Sequence, residues 1–161
     1  MPTCTYTATP TQYRRNAHEP FSATTSEVVK ALGVTHRMLQ HADETGLITP
    51  SRSIGRNRRY STDDMFAILL RAECYAAGVP LFKVQRLLPK MLDMLHGAGE
   101  RASFVLVCGD EIDVKYTVGG LASIPELCKK RNAPCAVVDV VDVRCRVVEA
   151  VNAIKEHREA V

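Results

Sequence analysis

No apolar run in this 161-residue chain approaches the roughly 18 residues that a membrane-spanning helix needs. The first residues also lack the basic-then-apolar order of a secretory signal. The expected location is therefore the cytoplasm, with no membrane partner. Equally missing are a nucleophile–base pair, a phosphate-cradling glycine loop and a zinc-ligand spacing, so neither an enzyme nor a cofactor is expected. The six cysteines, Cys4, Cys74, Cys108, Cys128, Cys135 and Cys145, are scattered through segments of regular pattern. In a reducing compartment that distribution reads as buried thiols rather than a disulfide framework.

What is present suffices for a core, with 46% apolar residues. The net charge of +3 conceals an asymmetry: residues 21–90 carry ten Lys and Arg against six Asp and Glu, and residues 91–161 nine against eleven. A polyanion would bind the first half. Residues 1–20, with Pro2, Pro10 and Pro20 and no periodic apolar pattern, read as a flexible arm on which Arg14 and Arg15 are solvated.

Thr24 and Glu27 form a capping box ahead of Val28, Val29 and Leu32, and Gly33 stops that helix. Thr35 caps a second helix with apolar Met38, Leu39 and Ala42, closed by Gly46. Two short helices so joined are a helix-turn-helix. Arg52 to Ile54, a turn at Gly55 to Asn57, and a return through Arg58, Arg59 and Tyr60 read as a basic hairpin or wing. Ser61 and Asp64 bracket a third helix that Gly78 ends, and Pro80 opens a fourth, which Pro89 ends or kinks before the break at His96–Gly99. Beyond it, Phe104–Cys108 reads as a buried strand, Ile112–Val118 as an alternating one, Ser123 and Glu126 as a capping box, Ala136–Val141 as a third strand, and Val143, Val147, Val151 and Ile154 as one stripe of a closing helix that ends near His157. The fold class is α+β: an arm over 1–20, a winged helix-turn-helix domain over 21–97 and a small β-β-α-β-α domain over 98–161, its third strand parallel to its second.

The stretch from Gly33-Val34-Thr35 to Gly46-Leu47-Ile48, with Pro50, Arg58-Arg59-Tyr60 and Gly78-Val79-Pro80-Leu81, resembles the MerR family of bacterial transcription regulators. The resemblance implies a DNA-binding homodimer acting on promoter DNA. It departs from the family at Gln40-His41-Ala42, where Arg-Tyr-Tyr is usual, and at Arg56-Asn57 in the wing. The long antiparallel coiled coil through which the family dimerises is also absent, which opens an alternative: an excisionase-like or architectural factor assembling along DNA.

In the major groove Arg donates twice to guanine and Gln both donates to and accepts from adenine. Thr35, His36, Arg37, Gln40 and His41, in the first turns of the second helix, are the expected base and phosphate contacts. Arg52, Arg56, Arg58, Arg59 and Tyr60 of the wing are expected on the DNA backbone. Some wing arginines can pair instead with Asp63 or Asp64, Arg59 foremost, and Tyr60 can pack against the third helix instead of reaching phosphate. Cys128 and Cys135, six residues between them, loosely resemble the two-cysteine loop of metal-sensing relatives, but no histidine completes a set and no metal is expected. Asp110, Glu111, Asp139 and Asp142 fall near strand ends, where turn and cap duties account for Asp110 and Asp142. The partners expected are double-stranded DNA, a second copy of the chain and, through residues 98–161, RNA polymerase or another protein. A third reading makes the C-terminal domain an interaction module that the winged helix delivers to DNA.

Overall fold

The computed structural model describes residues 21–46, 48, 52–54, 57–99, 102–109, 111–116, 129 and 135–160. The expected arm, the wing turn with Gly55 and Arg56, Asp110, Cys4, Cys128 and the capping box at Ser123 and Glu126 lie outside the described residues. In chain order the elements are Ala23–Thr24 (β1), Thr25–Leu32 (α1), His36–Glu44 (α2), Arg52–Ile54 (β2), Asn57–Tyr60 (β3), Thr62–Ala76 (α3), Leu81–Ala98 (α4), Ala102–Cys108 (β4), Glu111–Tyr116 (β5), Cys135–Asp139 (β6) and Val140–Glu159 (α5). Two compact units emerge, one drawn from 1–69 with 144–161, the other from 70–143. Among the described residues no helix is long and apolar enough to cross a membrane.

In the first unit β1 passes directly into α1, and Thr24 serves both. Its N–H donates to the Glu27 carboxylate at 2.7 Å while the Glu27 N–H donates to its hydroxyl at 3.4 Å. That reciprocal box satisfies two of the donors that a helix start leaves unpaired. Val28 and Leu32 are buried on the inner face, and Gly33 closes the helix at φ 66°, a left-handed conformation that favours glycine. Thr35 then accepts from Met38 N–H at 3.1 Å and starts α2, anchored by Leu39 and Ala42, both 1% exposed.

The hairpin of β2 and β3 pairs Arg52 with Arg59, Ser53 with Arg58 and Ile54 with Asn57. It is part of a three-stranded antiparallel sheet ordered β1-β3-β2, in which Ala23 faces Tyr60 and Thr24 faces Arg59. A strand of two residues carries no alternation to read, so β1 was hidden behind the helix cap that it also forms. At the start of α3, Asp64 accepts from the Ser61 N–H at 2.7 Å and its own N–H donates to the Ser61 hydroxyl at 3.1 Å. Met65, Ile68 and Leu69 follow on the buried side. The last part of α5 completes this unit, with Val147, Ala150 and Ile154 buried.

The second unit centres on β4, buried at every residue. The sheet is ordered β5-β4-β6 with both neighbours antiparallel to β4. The third strand therefore points the same way as the second, as expected, but lies across β4 from it. The continuous apolar run of β4 accounts for this, because only a central strand is covered along its whole length. The strand β6 ends at Asp139, short of the expected Val141, because the Asp139 carboxylate accepts from Asp142 N–H at 3.0 Å and turns the chain into α5. Asp139, not Asp142, does the capping. Helix α4 packs on β4 and β5. It continues through Pro89 to Ala98, with Val84, Leu88, Met91 and Leu95 on one buried stripe. Pro89 sits on the exposed side of the helix, away from the buried stripe.

The cysteine expectation needs correction. Cys108 and Cys135 face each other across β4 and β6 and are joined by a disulfide, while Cys74 and Cys145 are buried thiols outside that bond. Two cysteines 27 positions apart in sequence become partners only once the strand register is known.

Candidate nucleic-acid interface

Helix α2 is amphipathic in charge as well as in burial. Leu39 and Ala42 hold it to the core, and Thr35, His36, Arg37 and Gln40 are exposed, with His41 half-buried. Its first turn carries no acidic residue. The partial positive charge of the helix start therefore stands unopposed beside Arg37, a setting that favours an anion. The acids sit at the other end, and both are engaged: the Gln40 amide donates to Glu44 at 2.7 Å, and Asp43 is ion-paired with Arg58 of β3. At the same end the Thr45 hydroxyl donates to the His41 carbonyl at 2.7 Å, which closes the last turn.

The Arg58–Asp43 pair corrects the expected one. Arg59 is the arginine for which pairing with Asp63 or Asp64 is the foremost alternative to DNA contact. Instead the neighbouring Arg58 pairs, and the carboxylate comes from α2, because Asp64 is committed to the box at Ser61. Arg58 thereby ties the hairpin to the helix it accompanies. Its side chain remains 41% exposed, against 22% for Asp43.

Arg59 is half-buried beside β1 and β2. The backbone of Arg52 pairs with it in β2, and Arg56 lies outside the described residues. Tyr60 is 1% exposed and its hydroxyl is buried without a hydrogen-bond partner. Tyr60 is thus a core residue, which is the packing alternative. The structure accordingly brings Thr35, His36, Arg37, Gln40 and His41 together on one helix, sets Arg58 and Arg59 on the adjoining strand and withdraws Tyr60 to the interior.

Sequence reasoning missed the clamp that holds this region from the far end of the chain. Arg158 donates through Nε and one terminal nitrogen to the two oxygens of Glu27, each at 2.8 Å, and to the Ser22 carbonyl at 2.9 Å. Its guanidinium also lies 5.7 Å from the Phe21 ring centre, with Lys155 at 5.9 Å, within cation–π range. The Arg158 hydrogen bond is the main reason that the Glu27 carboxyl is lowered to about 2, aided by Thr24 and opposed by burial. No local pattern announces a contact that spans 131 residues.

Elsewhere Glu111 and Asp139 are exposed. Among the described residues no group of three or more His, Cys, Asp or Glu is placed to hold a metal ion. The family model described as MerR HTH family regulatory protein matches residues 23–91. No curated protein matches the chain.

Proposed function

We propose, from the match of residues 23–91 to the MerR HTH family regulatory domain, that the chain is a DNA-binding transcription regulator and that it reads DNA as follows. Helix α2 enters the major groove with Arg37 and Gln40 on base edges, His41 beside them, and Thr35 and His36 at the flanking phosphate. The hairpin lies along the backbone, where Arg52, Arg56 and Arg59 meet phosphates and Arg58 holds the hairpin to α2. The observation that carries this reading is the polarity of α2: an exposed, acid-free, cationic start, and an acidic end where Arg58 pairs with Asp43 and the Gln40 amide donates to Glu44.

In this reading residues 21–97 contact DNA and residues 98–161 pair two copies of the chain, or recruit RNA polymerase or another protein. A second reading, an accessory factor that assembles along DNA, is favoured by one feature: after α4 the chain enters β4 rather than a long pairing helix.

Selection of bound duplexes from a random pool by the full-length protein separates the two. Enriched inverted repeats match a symmetric dimer, direct repeats match head-to-tail assembly, and no enrichment refutes sequence-specific binding. On the selected site, Gln40→Ala is expected to relax preference at one base pair at a cost of about 1–3 kcal/mol. Arg59→Ala should instead weaken all duplexes alike and lower the salt slope by about one. Equal, sequence-independent losses from both would refute these roles.

A further inference from the structure

The DNA-binding reading leaves the Cys108–Cys135 pair unused, and its position is specific. Cys108 closes β4, Cys135 opens β6, and the two are register partners with Cα atoms 4.2 Å apart. They form the last pair of the β4–β6 ladder. Among the described residues β6 pairs with β4 alone, so the bond fastens the start of β6 to the end of β4. Phe104, Leu106 and Val137 make an apolar cluster with both cysteines. Cys108 is 6% exposed whereas Cys135 is half-buried, so Cys135 is the more exposed residue of the pair. The free thiol of Cys74 is buried, and burial pushes it up to about 12, so it stays protonated and inert.

We propose that Cys108–Cys135 is a reversible thiol–disulfide site whose co-reactant is a dithiol reductant, and that opening it weakens operator binding. This rests on the DNA-binding reading: a regulator meets its operator in the compartment that holds the DNA, where thiols are kept reduced and disulfides serve sensing rather than structure. A thiolate of the reductant attacks Cys135 Sγ, the S–S bond breaks, and the electron pair leaves on Cys108 Sγ, which takes a proton. The second thiol of the reductant then attacks its own sulfur in the mixed disulfide, releases Cys135 as a thiol and closes the reductant's disulfide. Two electrons and two protons pass to the protein. The freed strand continues through the Asp139 cap into α5, whose far end holds the capping box of α1 through Arg158. The tied cysteine and the clamp thus begin and end one continuous segment.

The test uses the full chain, oxidised or treated with dithiothreitol, with peptide mapping to read the bond and fluorescence anisotropy on the selected duplex to read affinity. Dithiothreitol should open this bond, its removal and an oxidant should restore it, and operator Kd should rise about tenfold on opening. A Cys108→Ser, Cys135→Ser variant should bind like the reduced protein and ignore reductant. The reduced wild-type chain carries the comparison even if that variant fails to fold. Equal operator affinity in the two states overturns the proposal, as does a bond that does not open and reclose. Should neither state bind any duplex, the DNA-binding reading falls, while the mapped bond still decides the redox site: reversible opening upholds it and an inert bond removes it.

Discussion

Glu27 serves two structures with one carboxylate. It closes the capping box with Thr24 and receives both nitrogens of Arg158. Its carboxyl is lowered from 4.5 to about 2, first by the Arg158 hydrogen bond and then by those from Thr24. A folded-state value below the unfolded one means stabilisation that is complete above about pH 4.5 and fades as pH falls towards 2. Arg158→Gln should therefore cost about 1 kcal/mol at neutral pH. Arg158 is 40% exposed, and water screening keeps the loss nearer that of surface pairs than the shift alone implies. Urea unfolding at several pH values checks this. The gap between wild type and variant should narrow through the acid range, and a constant gap would refute the linkage.

At the scale of elements, the Arg58–Asp43 pair makes hairpin and recognition helix one piece. A double-mutant cycle of Arg58→Ala and Asp43→Ala, read by chemical denaturation, should return a coupling of about 0.5 kcal/mol; additive effects would show that the pair holds nothing. Elements that announce themselves locally were legible in the sequence. Thr24 with Glu27, Thr35, and Ser61 with Asp64 start helices where their spacing predicts, because a cap is a bond between residues three apart. Features that depend on a distant neighbour were not legible. Strand β1 exists only because β3 is beside it, Arg58 chose Asp43 over acids nearer in sequence, and between packing and phosphate only the fold decides Tyr60 for packing. Of the two readings of Pro89, an end or a kink, the helix that runs on to Ala98 removes the first.

For the whole molecule, the first unit is discontinuous in sequence, and residues 21–97 do not contain all of it. Val147, Ala150, Ile154 and Arg158 belong to it from the far end of the chain. A fragment of 21–97 should thus melt at lower temperature than the full chain by circular dichroism, with α2 intact but less firmly held; an equal midpoint would show that the closing helix adds nothing. The share of the candidate site legible in the sequence follows the same division. The residues of α2 share one helix and were found together, whereas Arg158 and the Cys108–Cys135 bond needed the fold to bring them to their partners.

The clamp on Glu27 also orders events in time. During synthesis the capping box of α1 is complete long before its second partner exists, because Arg158 lies 131 positions later. At about 5–20 residues per second the interval is roughly ten seconds. Throughout it the nascent helix-turn-helix is held by its caps, its buried side chains and the Arg58–Asp43 pair, and the Arg158 clamp is added only when its helix emerges.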